Sequence, residues 1–252
     1  MTDRFLDVHN LGMTFHDRKS QLEVLRDISF SLGSEEFLCV LGPSGSGKST
    51  LLRLIAGLLK PTTGGISFAD CDCAPRVGLV FQHANLMPWR TVRQNIALPL
   101  EIQQVAQAEI EARVNEMIHL VGLEEFSHSW PSELSGGMAQ RVAIARAFIQ
   151  EPDLLLLDEP FGALDALTRE RMGAELLNIW QGQRIPVVMV THSISEALLL
   201  SDRVLVFTSR PGQLAQDMPV PFSRPRREEL RYTAEFQQLE RELRGNLYIR
   251  IS

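Results

Sequence analysis

Cysteine is scarce in this chain, and what there is does not sit in a metal-binding pattern. Cys39 lies within an apolar run, while Cys71 and Cys73 have no second Cys or His cluster at zinc spacing. The three read as reduced thiols, and a metal site built on them is not expected. A basic excess is missing too: 25 Lys and Arg face 31 Asp and Glu, a net charge of -6. Nucleic acid is therefore not expected as a partner, because phosphate backbones reward clustered cations. A polybasic membrane anchor is disfavoured on the same ground. Long apolar runs are absent; the central aliphatic stretch Leu154 to Leu157 falls far short of the roughly 20 residues that span a bilayer. Met1 is followed by Thr2, Asp3 and Arg4, with no basic start leading into an apolar signal segment. The expectation is a soluble protein made in the cytosol. No internal repeat or low-complexity tract is found.

What is present is ordinary in bulk and specific in detail. A hydrophobic fraction of 44% and a charged fraction of 22% are those of a globular protein. The length of 252 residues suits one large α/β domain or two modest ones. The first 80 residues read as strand-rich, with apolar runs at Phe37–Leu41 and Ile66–Phe68. A helix is predicted from near Gly47 to Leu59, carrying Leu51, Leu54, Ile55, Leu58 and Leu59 on one face and stopped by Pro61. From about 88 to 150 the pattern becomes helical; Ile110, Val114, Met117, Ile118 and Val121 recur at helical spacing, with Gly122 as the stop. Leu154–Leu157, Pro186–Val190 and Arg203–Phe207 then read as strands buried on both faces, as a parallel sheet requires. Residues 1–222 are expected to form the main domain, with an inserted helical part at about 88–150. Residues 223–252 form a polar tail whose Phe236, Leu239, Leu243 and Leu247 make a thin helical stripe.

Residues 42–50, Gly42-Pro43-Ser44-Gly45-Ser46-Gly47-Lys48-Ser49-Thr50, satisfy the pattern Gly-x4-Gly-Lys-Ser/Thr. Glycines let the backbone wrap a phosphate chain with its amide hydrogens pointing inward. The following helix turns its positive dipole end toward the same anion. Lys48 offers a point charge to the β- and γ-phosphates, and the Ser49 hydroxyl is a ligand for Mg²⁺. A Gly-rich turn between strand and helix is the plain alternative; the apolar strand before and amphipathic helix after favour the phosphate reading. Such a cradle alone is compatible with kinases, GTPases and many ATPases. Further on, Leu154–Glu159 ends a strand in two adjacent carboxylates, where ligands of open α/β sheets sit. The expected division is Asp158 on Mg²⁺ through its water shell and Glu159 on the attacking water.

Between these lies LSGGMAQR, residues 134–141, opening a helix through Val142, Ile144, Ala145 and Phe148. This segment resembles the signature motif of ABC ATPases. The resemblance implies an α/β P-loop NTPase with a RecA-like core, an N-terminal antiparallel β region and an inserted helical subdomain. It implies that Ser135, Gly136 and Gly137 form a second anion site, facing the γ-phosphate of ATP held by the other subunit. It implies that Gln82 joins Mg²⁺ and the attacking water to the permease-facing region. Gly162-Ala163-Leu164-Asp165 then matches the loop that crosses the dimer interface, and His192 the switch histidine on the γ-phosphate. Phe15 is the aromatic expected to stack on adenine.

MPWRTV at 87–92, DEPFGALDALTR at 158–169 and LLLSDRVLVFTSRPG at 198–212 are similar to the nitrate/sulfonate/taurine class of importer subunits. The implied function is ATP hydrolysis that energises uptake of a small, anionic solute through a separate integral membrane permease. The implied partners are a second copy of the chain, that permease and, indirectly, an extracytoplasmic solute-binding protein. The implied place is peripheral, on the cytoplasmic side of the inner membrane. Three residues depart from the family pattern: Glu35 stands where Gly is usual, Ala139 where a polar residue is usual, and Ser193 where Asp is frequent. Two other readings fit the sequence less well. Repair-type ABC ATPases carry coiled-coil inserts and ribosomal types two cassettes, neither visible here. A small-molecule P-loop kinase would have no use for LSGGMAQR.

Overall fold

The computed structural model describes residues 4–17, 20–69, 75–162 and 164–249. Cys71, Cys73 and Ala163 lie outside the described residues, as does the side chain of Leu247. The chain divides into two compact units. One comprises Met1–Pro75, Leu156–Asp158 and Arg184–Ser252, the other Arg76–Leu155 and Glu159–Gln183.

In the first unit, β1 (Arg4–Asp17) and β2 (Ser20–Gly33) form a long antiparallel hairpin, with Asp17 opposite Ser20 and Leu6 opposite Leu32. β3 (Phe37–Leu41) follows, and β4 (Thr63–Phe68) pairs antiparallel with the other side of β1. Leu6, Val8, Leu11, Leu25, Ile28 and Leu32 of this three-stranded sheet are buried.

The second sheet of this unit runs in the order β6 (Leu154–Asp158), β7 (Val187–Thr191), β3, β8 (Arg203–Phe207), β9 (Leu214–Pro219). β3 is flanked by parallel strands on both sides, which is why FLCVL is buried at every residue. Each such buried Val, Leu or Phe contributes about 1.5–3 kcal/mol over an exposed one. Burial also pushes the Cys39 thiol up from its ordinary range. Register decides where the loops emerge. Leu41 pairs with Thr191 on one side and Val206 on the other. The segments beginning at Gly42, His192 and Thr208 therefore leave the sheet side by side at one edge.

α1 (Lys48–Ile55) ends four residues before the predicted Leu59. Pro61 is not the stop. Gly57 adopts a left-handed φ of 71°, its N–H donates to Leu54 O at 3.0 Å, and Leu58 N donates to Arg53 O at 2.9 Å. This paired closure uses up the free carbonyls of the last turn. Leu58 is left exposed.

The second unit is mainly helical. β5 (Val77–Val80) enters beside the start of β6, the Arg76 carbonyl accepting from Asp153 N at 2.8 Å. α2 (Val92–Ile102), α3 (Gln107–Leu120) and α4 (Gly136–Phe148) pack through Ile96, Leu100, Val114, Ile118, Val142 and Phe148, all buried. The α3 face and its Gly122 terminator, φ 60°, fall where the periodicity put them. α5 (Ala166–Gln183) completes the unit.

Back in the first unit, α6 (Ile194–Leu200) and α7 (Ala234–Ile249) pack together. Arg226 is buried and donates to the carbonyls of Leu198 (3.0 Å) and Ser201 (2.5 Å), closing the carbonyl end of α6. Burial, followed by the nearby Arg224, pushes its pKa down to about 10. Phe222 stacks on the fully buried Phe236 of α7, 5.7 Å between ring centres. Among the described residues, no helix is long and apolar enough to cross a membrane.

Candidate functional site

In the first unit the segment Gly42–Gly47 joins β3 to α1. Ser46 N donates to Pro43 O at 3.3 Å, curling the loop, and Leu51 N donates to Gly47 O at 2.9 Å to begin the helix. Gly47 has a φ of 91°, and a Cβ there would meet Leu25 Cδ2 at 2.6 Å and Val24 O at 3.0 Å, so only glycine fits. Lys48 is 5% exposed and folds back over the loop, its Nζ donating to Gly42 O at 2.8 Å and Pro43 O at 3.0 Å. The Ser46 hydroxyl is buried without a hydrogen-bond partner. Ser44 and Gly45 are exposed, and Thr50 is half-buried in α1.

The Ser49 hydroxyl donates to Asp158 Oδ1 at 2.8 Å, so β6 and α1 bring together two side-chain oxygens that the sequence holds 109 residues apart. His192 follows directly on β7, with its side chain exposed. Its neighbours are pinned: Thr191 Oγ1 donates to Glu196 Oε2 at 2.6 Å and accepts from Ser193 N at 3.0 Å. Ser193 Oγ in turn accepts from Glu196 N, capping α6, so the serine supplies the cap an aspartate would have given. Phe15 stands on the other sheet of this unit, opposite Leu22 near the turn of the hairpin, and is 39% exposed.

In the second unit, Glu159 holds a left-handed backbone, φ 44°. Its carbonyl accepts from Gly162 N at 3.0 Å. A Cβ on Gly162 would lie 3.5 Å from Glu159 Oε2 and 3.6 Å from Gln82 Nε2, so both predicted side chains converge on the same bare backbone. Ser135 caps α4, its hydroxyl accepting from Met138 N at 3.3 Å. Gly136 and Gly137 open that helix against the start of α5; a Cβ on Gly137 would meet Thr168 Cγ2 at 2.7 Å. Asp165 caps α5 by accepting from Thr168 N at 3.0 Å. The hydrogen bonds from Thr168 hold its carboxyl below the usual range.

Compared with known protein families, residues 25–162, more than half of the chain, match the ABC transporter family. The chain belongs to that family. The nitrate import ATP-binding protein NrtD of Synechococcus elongatus is 43% identical over 98% of this chain and 93% of that protein. The taurine import ATP-binding protein TauB of Pelagibacter ubique is 43% identical over 85% of this chain and 82% of that protein. Among solved structures, an ATP-binding cassette in a dimeric post-hydrolysis state, bound to ADP and Pi, superposes with a TM-score of 0.77. It is 31% identical and covers 86% of this chain and all of that one. The fold is thus the α/β fold of the ABC ATPase cassettes.

Two residues of this ABC chain shape the site without having been singled out from sequence. Glu196 fixes both neighbours of His192; the Ser193-x-x-Glu196 spacing, that of a capping box, was its only sequence signal. Asn95, fully buried on α2, accepts from Met87 N at 2.8 Å and donates to the Met87, Arg90 and Thr91 carbonyls. It thereby sets the shape of the loop carrying Pro88 and Trp89, and no local signal announces it. Trp89 is 69% exposed on that loop.

Proposed function

We propose that this chain is the ATP-hydrolysing subunit of an ABC importer. It works as a homodimer on the cytoplasmic side of the inner membrane and energises uptake of a small anionic solute through a separate permease. The observation that carries the reading is the phosphate loop itself. Its amides are curled and its lysine buried, and its serine lies within hydrogen-bond reach of the carboxylate ending β6. The relatives named for nitrate and taurine import support the solute class, and the dimeric cassette supports the homodimer. An extracytoplasmic solute-binding protein would meet the permease and not this chain.

In this reading residues 42–50 hold the triphosphate, with Lys48 countering its charge. Ser49 and Asp158 offer hard oxygen donors, the set Mg²⁺ prefers, and Gln82 extends it. Bound there, Mg²⁺ would neutralise charge on the β- and γ-phosphates. Glu159 orients the attacking water and accepts its proton, beside Gln82. His192 donates to the γ-phosphate, and Phe15 offers its face to the adenine ring. Ser135, Gly136 and Gly137 form the anion site for the nucleotide of the opposite subunit, with Asp165 in the loop at the dimer contact. The division into a cassette over 1–222, with a helical part at about 88–150, and a tail over 223–252 belongs to the same proposal.

The test is Mg-ATP hydrolysis by the purified chain. Lys48→Ala should lose about 10²- to 10³-fold, the scale for removing one electrostatic stabiliser of a transition state. Equal rates for the two proteins would refute the reading.

Trp89 bears on the permease. A large aromatic left in solvent on a loop held by a buried asparagine fits an interface anchor rather than a packing residue. Trp89→Ala should leave ATP binding intact and abolish most solute uptake in vesicles carrying the complete transporter. Truncating such an anchor removes about 2 kcal/mol or more of binding. Full uptake by the variant would remove Trp89 from the interface.

A further inference from the structure

The segment SRPG at 209–212 is part of the stretch resembling one importer class. It lies in the turn between β8 and β9, and β8 leaves the sheet at the same edge as the phosphate loop. The turn is closed on itself: Thr208 Oγ1 accepts from Gln213 N at 3.0 Å and reaches the carbonyls of Ser209 and Pro211 at 3.0 and 3.2 Å. It is also fastened to β2. Gly212 N donates to Val24 O at 2.8 Å, and Gly212 O accepts from Arg26 N at 3.0 Å, making a parallel bridge to Leu25.

What this clamp presents to the phosphate loop is bare backbone. A Cβ on Gly212 would stand 2.1 Å from the Ser46 carbonyl oxygen, 3.2 Å from its carbon and 3.3 Å from Leu25 Cδ2. Neither partner can give way cheaply, because the obstacle is main chain on one side and a strand-bound turn on the other. The Ser46 carbonyl shares a rigid peptide plane with the Gly47 N–H, which points the opposite way. Whatever seats the carbonyl therefore aims the amide. The neighbouring wall is close as well, since a Cβ on Gly42 would meet Ser46 Oγ at 2.9 Å and Phe207 Cβ at 3.0 Å.

We propose that the Thr208–Gln213 turn is a buttress behind the phosphate loop, and that Gly212 is a positioning residue for the triphosphate. By accepting the Ser46 carbonyl against its bare α-carbon, Gly212 holds the Ser46–Gly47 peptide in its anion-binding orientation. The proposal rests on the assignment of residues 42–50 to nucleotide binding. It predicts a specific kinetic pattern, because the buttress meets the binding loop at the Ser46 carbonyl.

Gly212→Ala should raise KM for ATP, and Kd for a fluorescent ATP analogue, by about 10-fold or more, as expected for a sub-ångström to 1 Å misplacement of a binding group. kcat at saturating ATP should move far less, while the melting temperature of the nucleotide-free protein should fall, since main chain has to shift to admit the methyl group. Thr208→Val, which removes the hydroxyl that closes the turn, should move KM in the same direction by a smaller factor. Unchanged KM and Kd in a folded Gly212→Ala protein would overturn the proposal. So would a lowered melting temperature with normal KM in the folded fraction, since Gly212 would then serve the fold alone. If Gly212→Ala does not fold, Thr208→Val decides: a raised KM supports the buttress and a wild-type KM removes it. A wild-type chain that neither binds nor hydrolyses ATP would instead refute the nucleotide assignment, a result these variants cannot imitate.

Discussion

Glu159→Gln is expected to bind Mg-ATP and to dimerise while releasing phosphate about 10²- to 10⁴-fold more slowly, the range for loss of a general base. Glutamine keeps the length and shape of the side chain, so its contacts above Gly162 and its place beside Gln82 survive. What disappears is a charge able to orient and deprotonate water. Removing that charge also relieves repulsion with a bound triphosphate, so the ATP-bound dimer should if anything be tighter. Asp158→Asn should differ in kind. Asp158 accepts from the Ser49 hydroxyl, and weakening this pair impairs nucleotide affinity together with turnover. Size-exclusion chromatography with Mg-ATP, run beside a phosphate-release assay, separates the two. Near-normal hydrolysis by Glu159→Gln would take the general base away from Glu159.

Mixing two inactive variants should restore hydrolysis. Lys48→Ala disables the phosphate loop, and Ser135→Arg places a bulky cation where the capping hydroxyl of α4 now accepts from Met138 N. If each nucleotide sits between one chain's loop and the other chain's signature, a mixed dimer has one site with both lesions and one with neither. The mixture should then run well above either parent, each of which should be down by about 10²-fold or more. Sites built within single chains would leave every site with one lesion, and the mixture no better than its parents. The assay is phosphate release after co-expression with two affinity tags and tandem purification of the mixed species.

Much of this architecture was legible because buried parallel strands write themselves as unbroken apolar runs. Phe37–Leu41 and Arg203–Phe207 match β3 and β8 residue for residue, β6 runs one residue further than expected, and β7 is shifted by one residue at both ends. β9 carries Gln216, Asp217 and Pro219 at a sheet edge, where one side needs no apolar partner, so its pattern is faint. The expected extension of α1 to Leu59 rested on Pro61 as the stop, whereas Gly57 ends the helix. Leu58 and Leu59 continued the apolar spacing although the left-handed glycine had already turned the chain.

The candidate site was legible as far as its motifs are contiguous. Gly42–Thr50 and Ser135–Gly137 announce themselves by composition. The Ser49–Asp158 hydrogen bond could be expected only by placing a strand end opposite a helix start. Asn95 and Gly212 act through main-chain atoms of segments they meet only after folding, Asn95 on residues 87–91 and Gly212 on residue 46. Neither residue type nor spacing could point to them.

The backbone of Glu159 bears on how such a chain could be made more robust. A φ of 44° is comfortable for glycine and tolerable for asparagine, whereas for glutamate it costs on the order of 1–3 kcal/mol. That is a large fraction of the 5–15 kcal/mol by which a typical domain stays folded. A search for thermostable variants that ignored turnover would therefore be drawn to this position and would remove the carboxylate. Screens on this protein have to score hydrolysis alongside stability, because at residue 159 the two select for different side chains.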